Sequence, residues 1–359
     1  MSYPEHFAKE KQSEYSLMPW RDLHKRISCG GSIHYLGSCI RGPPPSYQFV
    51  QILAPSTDWS LALKSNGDLY YEYSYSTNPP IGLPYYTGFH RYKPFQRWDG
   101  LKFKILLVSA SRKHVLFYTT DHELYSFGDN RRGMVDPSRI QRFIQLPGVL
   151  PILEFRDKPI KQIFCTTHHS YVLLNNGSLF IMGIPPNLTT TKPSIQLLYT
   201  EVASFEVSES FSTFLFIIHT NGKVLMRNLK LMPELIELPL ANTVKHIKMV
   251  AFSEKFHCIV VHTLDDNLLL CNASHVGPTG EKLFLNFANY SEFTQFHGTV
   301  RQFVCCNKRF FVATWDNCLF EFNELTEHGA DFKHIHELAG RTRDIYADGR
   351  ESFYFICSN

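Results

Sequence analysis

Ile160-Lys-Gln-Ile-Phe-Cys165-Thr-Thr-His-His169-Ser-Tyr-Val-Leu-Leu174-Asn-Asn-Gly177-Ser-Leu-Phe-Ile-Met-Gly183 reads as three short apolar strands, parted first by a polar turn and then by a tight one. The same phrase recurs, worn, along the chain. Aligned on the tight turn, its central pairs are Asn66-Gly67, Asp121-His122, Asn176-Gly177, Asn221-Gly222, Asp265-Asp266 and Asp316-Asn317, with steps of 55, 55, 45, 44 and 51 residues between the second members. Repetition at such a period means that one unit cannot bury its own apolar faces and must lean on its neighbours. Asn-Gly between apolar runs is the strongest short-range hairpin signal. It predicts a type I′ turn in each copy, with both central residues at positive φ, a conformation that Asn and Asp tolerate better than most.

Similar strands flank every turn. Before it stand Ser60-Leu-Ala-Leu63, Val115-Leu-Phe-Tyr118, Tyr171-Val-Leu-Leu174, Leu215-Phe-Ile-Ile218, Ile259-Val-Val261 and Phe311-Val-Ala313. After it stand Leu69-Tyr-Tyr71, Leu124-Tyr-Ser-Phe127, Leu179-Phe-Ile-Met182, Val224-Leu-Met226, Leu268-Leu-Leu270 and Leu319-Phe-Glu-Phe322. Apolar runs this short and unbroken suit strands buried on both faces. The two ends of the chain complete each other. Ile345 to Asn359 matches the first half of a repeat and stops at the tight turn, while Gly31-Ser-Ile-His-Tyr-Leu-Gly37 matches Gly177 to Gly183 in spacing. Six whole repeats and one split between the ends make seven. A sheet built from both ends closes a ring and removes the exposed edge. The expectation is an all-β fold, a seven-bladed β-propeller with a shared closing blade. It divides into an arm over 1–28 and one propeller domain over 29–359.

On these residues the repeat resembles that of the regulator of chromosome condensation (RCC-type) family, over about residues 31 to 359. The family unit carries Cys-Gly-x-x-His-(Ser/Thr) before the second strand, and Cys165-Thr-Thr-His-His169-Ser170 matches it except at Thr166. Its Gly-x-x-(aromatic)-x-x-Gly-x-Asn-x-x-Gly element survives most fully as Tyr125-Ser-Phe-Gly128-Asp-Asn130-Arg-Arg-Gly133. Elsewhere fragments remain: His114, Trp59-Ser60, Gly183 and Gly37. The founding member promotes guanine-nucleotide exchange on a Ran-type small GTPase and binds nucleosomes. The resemblance therefore implies exchange activity or chromatin association as an alternative role. The family's exchange loops are not recognisable here, and the basic N-terminal tail used by nucleosome-binding members does not stand in this sequence.

Composition narrows the classes. With 44% hydrophobic residues, 29 Phe and 18 Tyr, the chain can bury a large core and is not a disordered sequence. Net charge is +3 and the isoelectric point about 8.3, too mild for bulk attraction to nucleic acid. No stretch of about 20 apolar residues spans a membrane, and Met1 to Lys11 has no apolar secretory core. Nine cysteines, an odd number, then read as reduced thiols of a cytoplasmic or nuclear protein.

Covalent and metal chemistry find no constellation. Cys165, His168 and His169 lack the paired partners of a structural zinc site, and Cys305-Cys306 point to opposite faces of a strand. The repeat explains Cys165 and His169 as structural positions, the histidine bonding a nearby turn. Asp121-His-Glu123 sits in a hairpin, and no phosphate-cradling Gly-rich loop or nucleophile elbow is found. Neither catalytic residues nor a metal or cofactor is expected.

The departures from regularity point to partners. The insert between the first two repeats carries Tyr85, Tyr86, Phe89, Arg91, Tyr92, Phe95, Arg97 and Trp98, among prolines that lower the cost of ordering it. Tyr, Trp and Arg dominate the energetics of protein interfaces. The other readings of this insert are rim packing of its aromatics, or stacking on single-stranded nucleic acid. Arg131 and Arg132, in the loop of the intact motif, form a second candidate. Trp20 within the arm is a further docking point if the arm is not merely loose. The preferred function is a non-enzymatic protein–protein interaction scaffold, a subunit or adaptor of an intracellular complex. The partner is one or more proteins, a small GTPase among the candidates, rather than nucleosomes, nucleic acid or membrane.

Overall fold

A computed structural model of the chain describes residues 27–28, 31–36, 49–56, 59–64, 66–73, 96–97, 103–111, 113–138, 143–144, 151–184, 193–209, 213–228, 235–237, 247–253, 258–263, 268–273, 285–292, 296, 299–306, 309–326, 329–335, 342–347 and 353–358. Among these residues the strands form seven four-stranded antiparallel sheets, the propeller that the repeats predict. From the axis outward, sheet one is Phe49–Ser56, Trp59–Lys64, Leu69–Tyr73 and Gln96–Arg97, and sheet two is Ile105–Ala110, His114–Thr119, Leu124–Asp129 and Phe143–Ile144. Sheet three is Ile160–Cys165, Ser170–Leu174, Leu179–Gly183 and Ser194–Tyr199. Sheet four is Val202–Glu209, Thr213–His219, Val224–Asn228 and Ile236–Glu237. Sheet five is Ile247–Ser253, Cys258–Thr263, Leu268–Ala273 and Leu285–Glu292, and sheet six is Val300–Cys306, Arg309–Thr314, Leu319–Thr326 and Gly329–His334.

Sheet seven closes the ring from both ends of the chain. Thr342–Ala347 pairs with Phe353–Ser358, which pairs with Gly31–Leu36 in the register Ile33↔Ile356 and Leu36↔Phe353. Its outer strand, Ile27–Ser28, precedes its neighbour in sequence, whereas in the other six sheets the outer strand follows. The inner strand of sheet seven touches those of sheets six and one, and contacts between sheets continue around the whole ring.

The middle strands carry the core. His114–Thr119, Leu124–Asp129 and Ser170–Leu174 are buried at every residue, as unbroken apolar runs between two neighbouring sheets should be. Core clusters span adjacent sheets. Tyr171, Leu173, Leu179 and Ile181 of sheet three pack on Val202, Phe205, Val207, Leu215 and Ile217 of sheet four. One sheet alone could not bury these side chains.

The tight turns differ from the type I′ expectation. Gly67, Gly177 and Gly222 have φ of +81°, +84° and +85°, and His122 and Asn317 match them at +60° and +61°. The residue before each is not left-handed. Gly67 N–H donates to Lys64 O and Lys64 N–H to Asp68 O, the pattern of a type I turn followed by one left-handed residue. The Asn or Asp is there for its side chain. Asn66 Oδ1 accepts from Asp68 N–H at 3.1 Å, and Asn176 and Asn221 accept in the same way at 3.0 Å. The Asp265-Asp266 turn lies outside the described residues.

The hairpin turns also join the sheets. Ile105 N–H donates to Gly67 O and Val202 N–H to Gly177 O, each at the start of the next inner strand. A Cβ on Gly67 would stand 2.9 Å from Lys104 Cβ and 3.0 Å from Ile105 N, so this approach needs glycine as much as the dihedral does. These hairpins and the links between sheets define one face of the disc, the hairpin face. The turns between first and second strands and the links between third and fourth strands open on the opposite, loop face.

Candidate interaction face

Two stretches singled out from the sequence leave the propeller on its loop face, in adjacent sheets. The aromatic and basic insert joins the third and fourth strands of sheet one, between Tyr73 and Gln96. Tyr85, Tyr86, Phe89, Arg91, Tyr92, Phe95 and Trp98 lie outside the described residues, as does Trp20. Arg97 belongs to the outer strand, opposite Tyr70. Arg131 and Arg132 lie on the corresponding link of sheet two.

That second link is held rigidly. Asn130 Oδ1 accepts from Val135 N–H at 3.1 Å and Asp136 N–H at 3.0 Å, while its Nδ2 donates to Asp136 O at 2.9 Å. Ser126 Oγ donates to Val135 O, and Asp136 Oδ1 accepts from both Ser138 N–H and its hydroxyl. Gly133 has φ +67°, and a Cβ there would fall 2.1 Å from Pro193 Cβ of the neighbouring sheet. The motif residues Asn130 and Gly133 therefore shape a fixed loop pressed on sheet three.

The two arginines have different jobs. Arg131 Nε donates to Asp129 Oδ1 at 2.9 Å and Oδ2 at 3.0 Å, and Nη2 bonds Oδ2 as well. Burial pushes the Asp129 carboxyl up, but the Arg131 hydrogen bonds outweigh it and hold it below the usual carboxylate range. Arg131 is thus committed to the loop. Arg132 is exposed and makes no hydrogen bond or ion pair among the described residues. Among the described residues of this link it is the available cation.

Beneath the loop runs a relay that links the two sheets. Ser170 Oγ donates to Met134 O at 2.6 Å, so toward His114 Nε2, also 2.6 Å away, it acts as acceptor. His114 must then carry its proton on Nε2, and Nδ1 accepts from Ser111 Oγ at 3.1 Å. Burial lowers the His114 pKa to about 3, against a smaller upward pull from Asp129. His169 Nε2 donates to Ile184 O at 2.8 Å, and burial likewise keeps its pKa below the ordinary histidine value. Cys165 N–H donates to Ser109 Oγ at 2.9 Å, and its thiol donates to Ser109 O at 3.3 Å. The motif residues are neutral and hydrogen-bonded between elements, as the structural reading of Cys165 and His169 expects. Among the described residues no group of His, Cys, Asp and Glu is placed to hold a metal.

Sequence reasoning passed over Glu206, which stands on the inner strand of sheet four opposite Phe216. Protein crowds its carboxyl although part of the residue meets solvent, and burial raises its pKa to about 7. Raised above an unfolded value near 4.5, this carboxyl favours folding most at low pH, and the advantage fades as pH climbs from 4.5 to about 7. Glu206→Gln should therefore stabilise the protein by about 1–2 kcal/mol at pH 8, a value reduced for partial solvation, and by nothing at pH 4. Urea unfolding at the two pH values checks it; an equal effect at both would refute the assignment.

No family model matches the chain, and no curated protein matches it either. Solved structures do. Prp20p of Saccharomyces cerevisiae, reported with its binding properties to Gsp1p and histones, aligns over 97% of this chain and 94% of its own, with TM-score 0.66 and 12% identity. Yeast RCC1 (Prp20) bound to Kap60 aligns over 87% of this chain and 80% of its own, with TM-score 0.61 and 12% identity. Human WBSCR16 aligns over 87% of each chain, with TM-score 0.63 and 14% identity. The chain is thus similar in fold to RCC1-type propellers. No helix among the described residues is long and apolar enough to cross a membrane.

Proposed function

We propose that the chain is a non-enzymatic interaction scaffold, a subunit or adaptor of an intracellular complex, whose loop face over sheets one and two holds a protein partner. The observation that carries this is the convergence of two links. The insert bearing Tyr85, Tyr86, Phe89, Arg91, Tyr92 and Phe95 departs from the same face and the adjacent sheet as the rigid loop presenting Arg132, while Arg97 belongs to the outer strand that ends the insert and Trp98 follows that strand in sequence. Aromatic and arginine side chains on a fixed scaffold are the usual anchors of a protein interface. The fold supplies position and rigidity, and the chemistry of holding needs no nucleophile or metal.

Arg132→Glu separates binding from stability, because its side chain supports nothing in the loop. Capture of the native partner from cells should fall at least about tenfold, the order expected for a reversed interface charge, with the melting temperature unchanged. Shortening residues 84–98 should abolish capture. Retention of the same partners by both variants would move the interface elsewhere.

A second reading has its own support in the fold likeness to Prp20, reported with its binding to Gsp1p. On that reading the propeller favours the nucleotide-free state of a Ran-type GTPase by binding it more tightly than the loaded state, without covalent chemistry. Stopped-flow release of a labelled guanine nucleotide from a panel of small GTPases decides it, and absence of acceleration ends it. Either role places the protein in cytoplasm or nucleus.

A further inference from the structure

All seven inner strands break register at the same place. The pairing shifts between Phe49 and Gln51, Ile105 and Leu107, Ile160 and Gln162, Val202 and Ser204, Ile247 and Met249, Val300 and Gln302, and Thr342 and Asp344. A bulge inserts one residue and re-aims its side chain. The bulged residues are Val50, Leu106, Lys161, Ala203, Lys248, Arg301 and Arg343, four cations and no acid. Repeated once per sheet near the hairpin face, they form a ring about the propeller axis.

Exposure supports this placement where side chains are described. Leu106 is 48% exposed, an unusual position for leucine, while its strand neighbours Ile105 and Val108 are 3% and 4% exposed. Lys161 is exposed between buried Ile160 and Ile163, and Arg301 is half-buried between buried Val300 and Phe303. Lys161 Nζ donates to the carbonyl of Ala203, the next bulged residue, at 2.6 Å, so this ammonium lies along the ring rather than pointing away from it. Lys248 and Arg343 occupy the same register position in sheets five and seven. The acids nearest in sequence are Asp344, beside Arg343, and Glu201, two residues before Ala203, against four cations at the bulges themselves.

We propose that this ring binds a compact polyanion on the axis at the hairpin face: several phosphate groups on one small frame. Cations set around a circle surround its centre. A small ligand with phosphates on all sides meets them together, whereas an extended acidic chain meets one sector at a time. Arginine and lysine are the usual phosphate ligands, arginine through a bidentate fork. The hairpin face is opposite the proposed protein interface, so the two sites are independent.

Titration calorimetry of the full chain with inositol hexakisphosphate at physiological salt tests the site. Saturable binding of one ligand per chain is expected. Lys161→Glu with Arg301→Glu should weaken it at least about a hundredfold, about tenfold for each reversed contact. Lys248→Glu with Arg343→Glu provides a second pair should the first not fold, and Arg132→Glu on the other face should leave binding unchanged. Three results would overturn the site: no saturable heat, affinity indifferent to the charge reversals, or a deca-glutamate peptide binding as tightly as the polyphosphate.

Discussion

Removal of Phe353–Ser358 should leave a chain that no longer unfolds cooperatively. This strand lies between Thr342–Ala347 and Gly31–Leu36, and both of its edges are paired along their length. Without it the two ends of the chain share no ladder. Sheets six and one then each present an uncovered face, and the ring becomes an arc with open edges. The loss exceeds that of one strand, because apolar side chains are buried between neighbouring sheets, as between sheets three and four, and an arc has two fewer such interfaces in contact. A domain is held by a net of only about 5–15 kcal/mol, and removing a central strand with its interfaces takes most or all of it. Thermal unfolding by circular dichroism, with the hydrodynamic radius, reads the outcome. A compact product with an unchanged transition would mean that sheet seven is not what closes the ring.

A milder lesion in the same strand separates closure from chain length. Ile356 stands opposite both Ile33 and Asp344. Proline there removes a ladder donor in a central strand, where proline is essentially never accommodated, and should cost at least about 3 kcal/mol. Two-state stability from urea unfolding should drop by that amount at full chain length.

The ring was legible because its signals are redundant. Six turn pairs, the apolar runs beside them and the complementary ends report the same geometry, and no single worn copy has to be right. The type of turn was not legible, because Asn and Asp fit two accounts. Both a left-handed backbone and a side chain accepting the second amide beyond it favour the same residues, and only φ and the Asn66, Asn176 and Asn221 bonds separate them. Short outer strands such as Gln96–Arg97, Phe143–Ile144 and Ile236–Glu237 carry two residues each, too few for any period to show. The seven bulges were hidden for another reason. The residues that occupy them, from Val50 to Arg343, share no chemistry that alignment on the turns would display. Arg131 and Arg132 looked alike in sequence, and only the fold assigns one to Asp129 and leaves the other available.

His114 should make acid the effective denaturant of this protein. The residue is fully buried, and its surroundings are complete only for the neutral ring. Nε2–H donates to Ser170 Oγ, which donates onward to Met134 O. Nδ1 faces Ser111 Oγ, which already receives the amides of Lys113 at 3.2 Å and His114 at 3.3 Å. A second ring proton would therefore meet a hydroxyl with no lone pair to offer. The folded-state pKa of about 3 lies below the unfolded value of 6.5, so the stabilisation is fully present above pH 6.5 and drains away as pH falls toward 3. At 1.36 kcal/mol per pH unit, His114 alone takes away about 3 kcal/mol between pH 6.5 and 4.5. His114→Gln should cost about 2–4 kcal/mol at pH 7.5, because one end of the relay loses its partner in a buried site. The same substitution should flatten the acid limb by about 3 kcal/mol over that interval, so the two proteins converge in stability near pH 4.5. Urea unfolding from pH 7.5 to 4.5 follows both curves. An acid limb of equal slope in the variant would place the sensitive proton elsewhere and break the account of the link between sheets two and three.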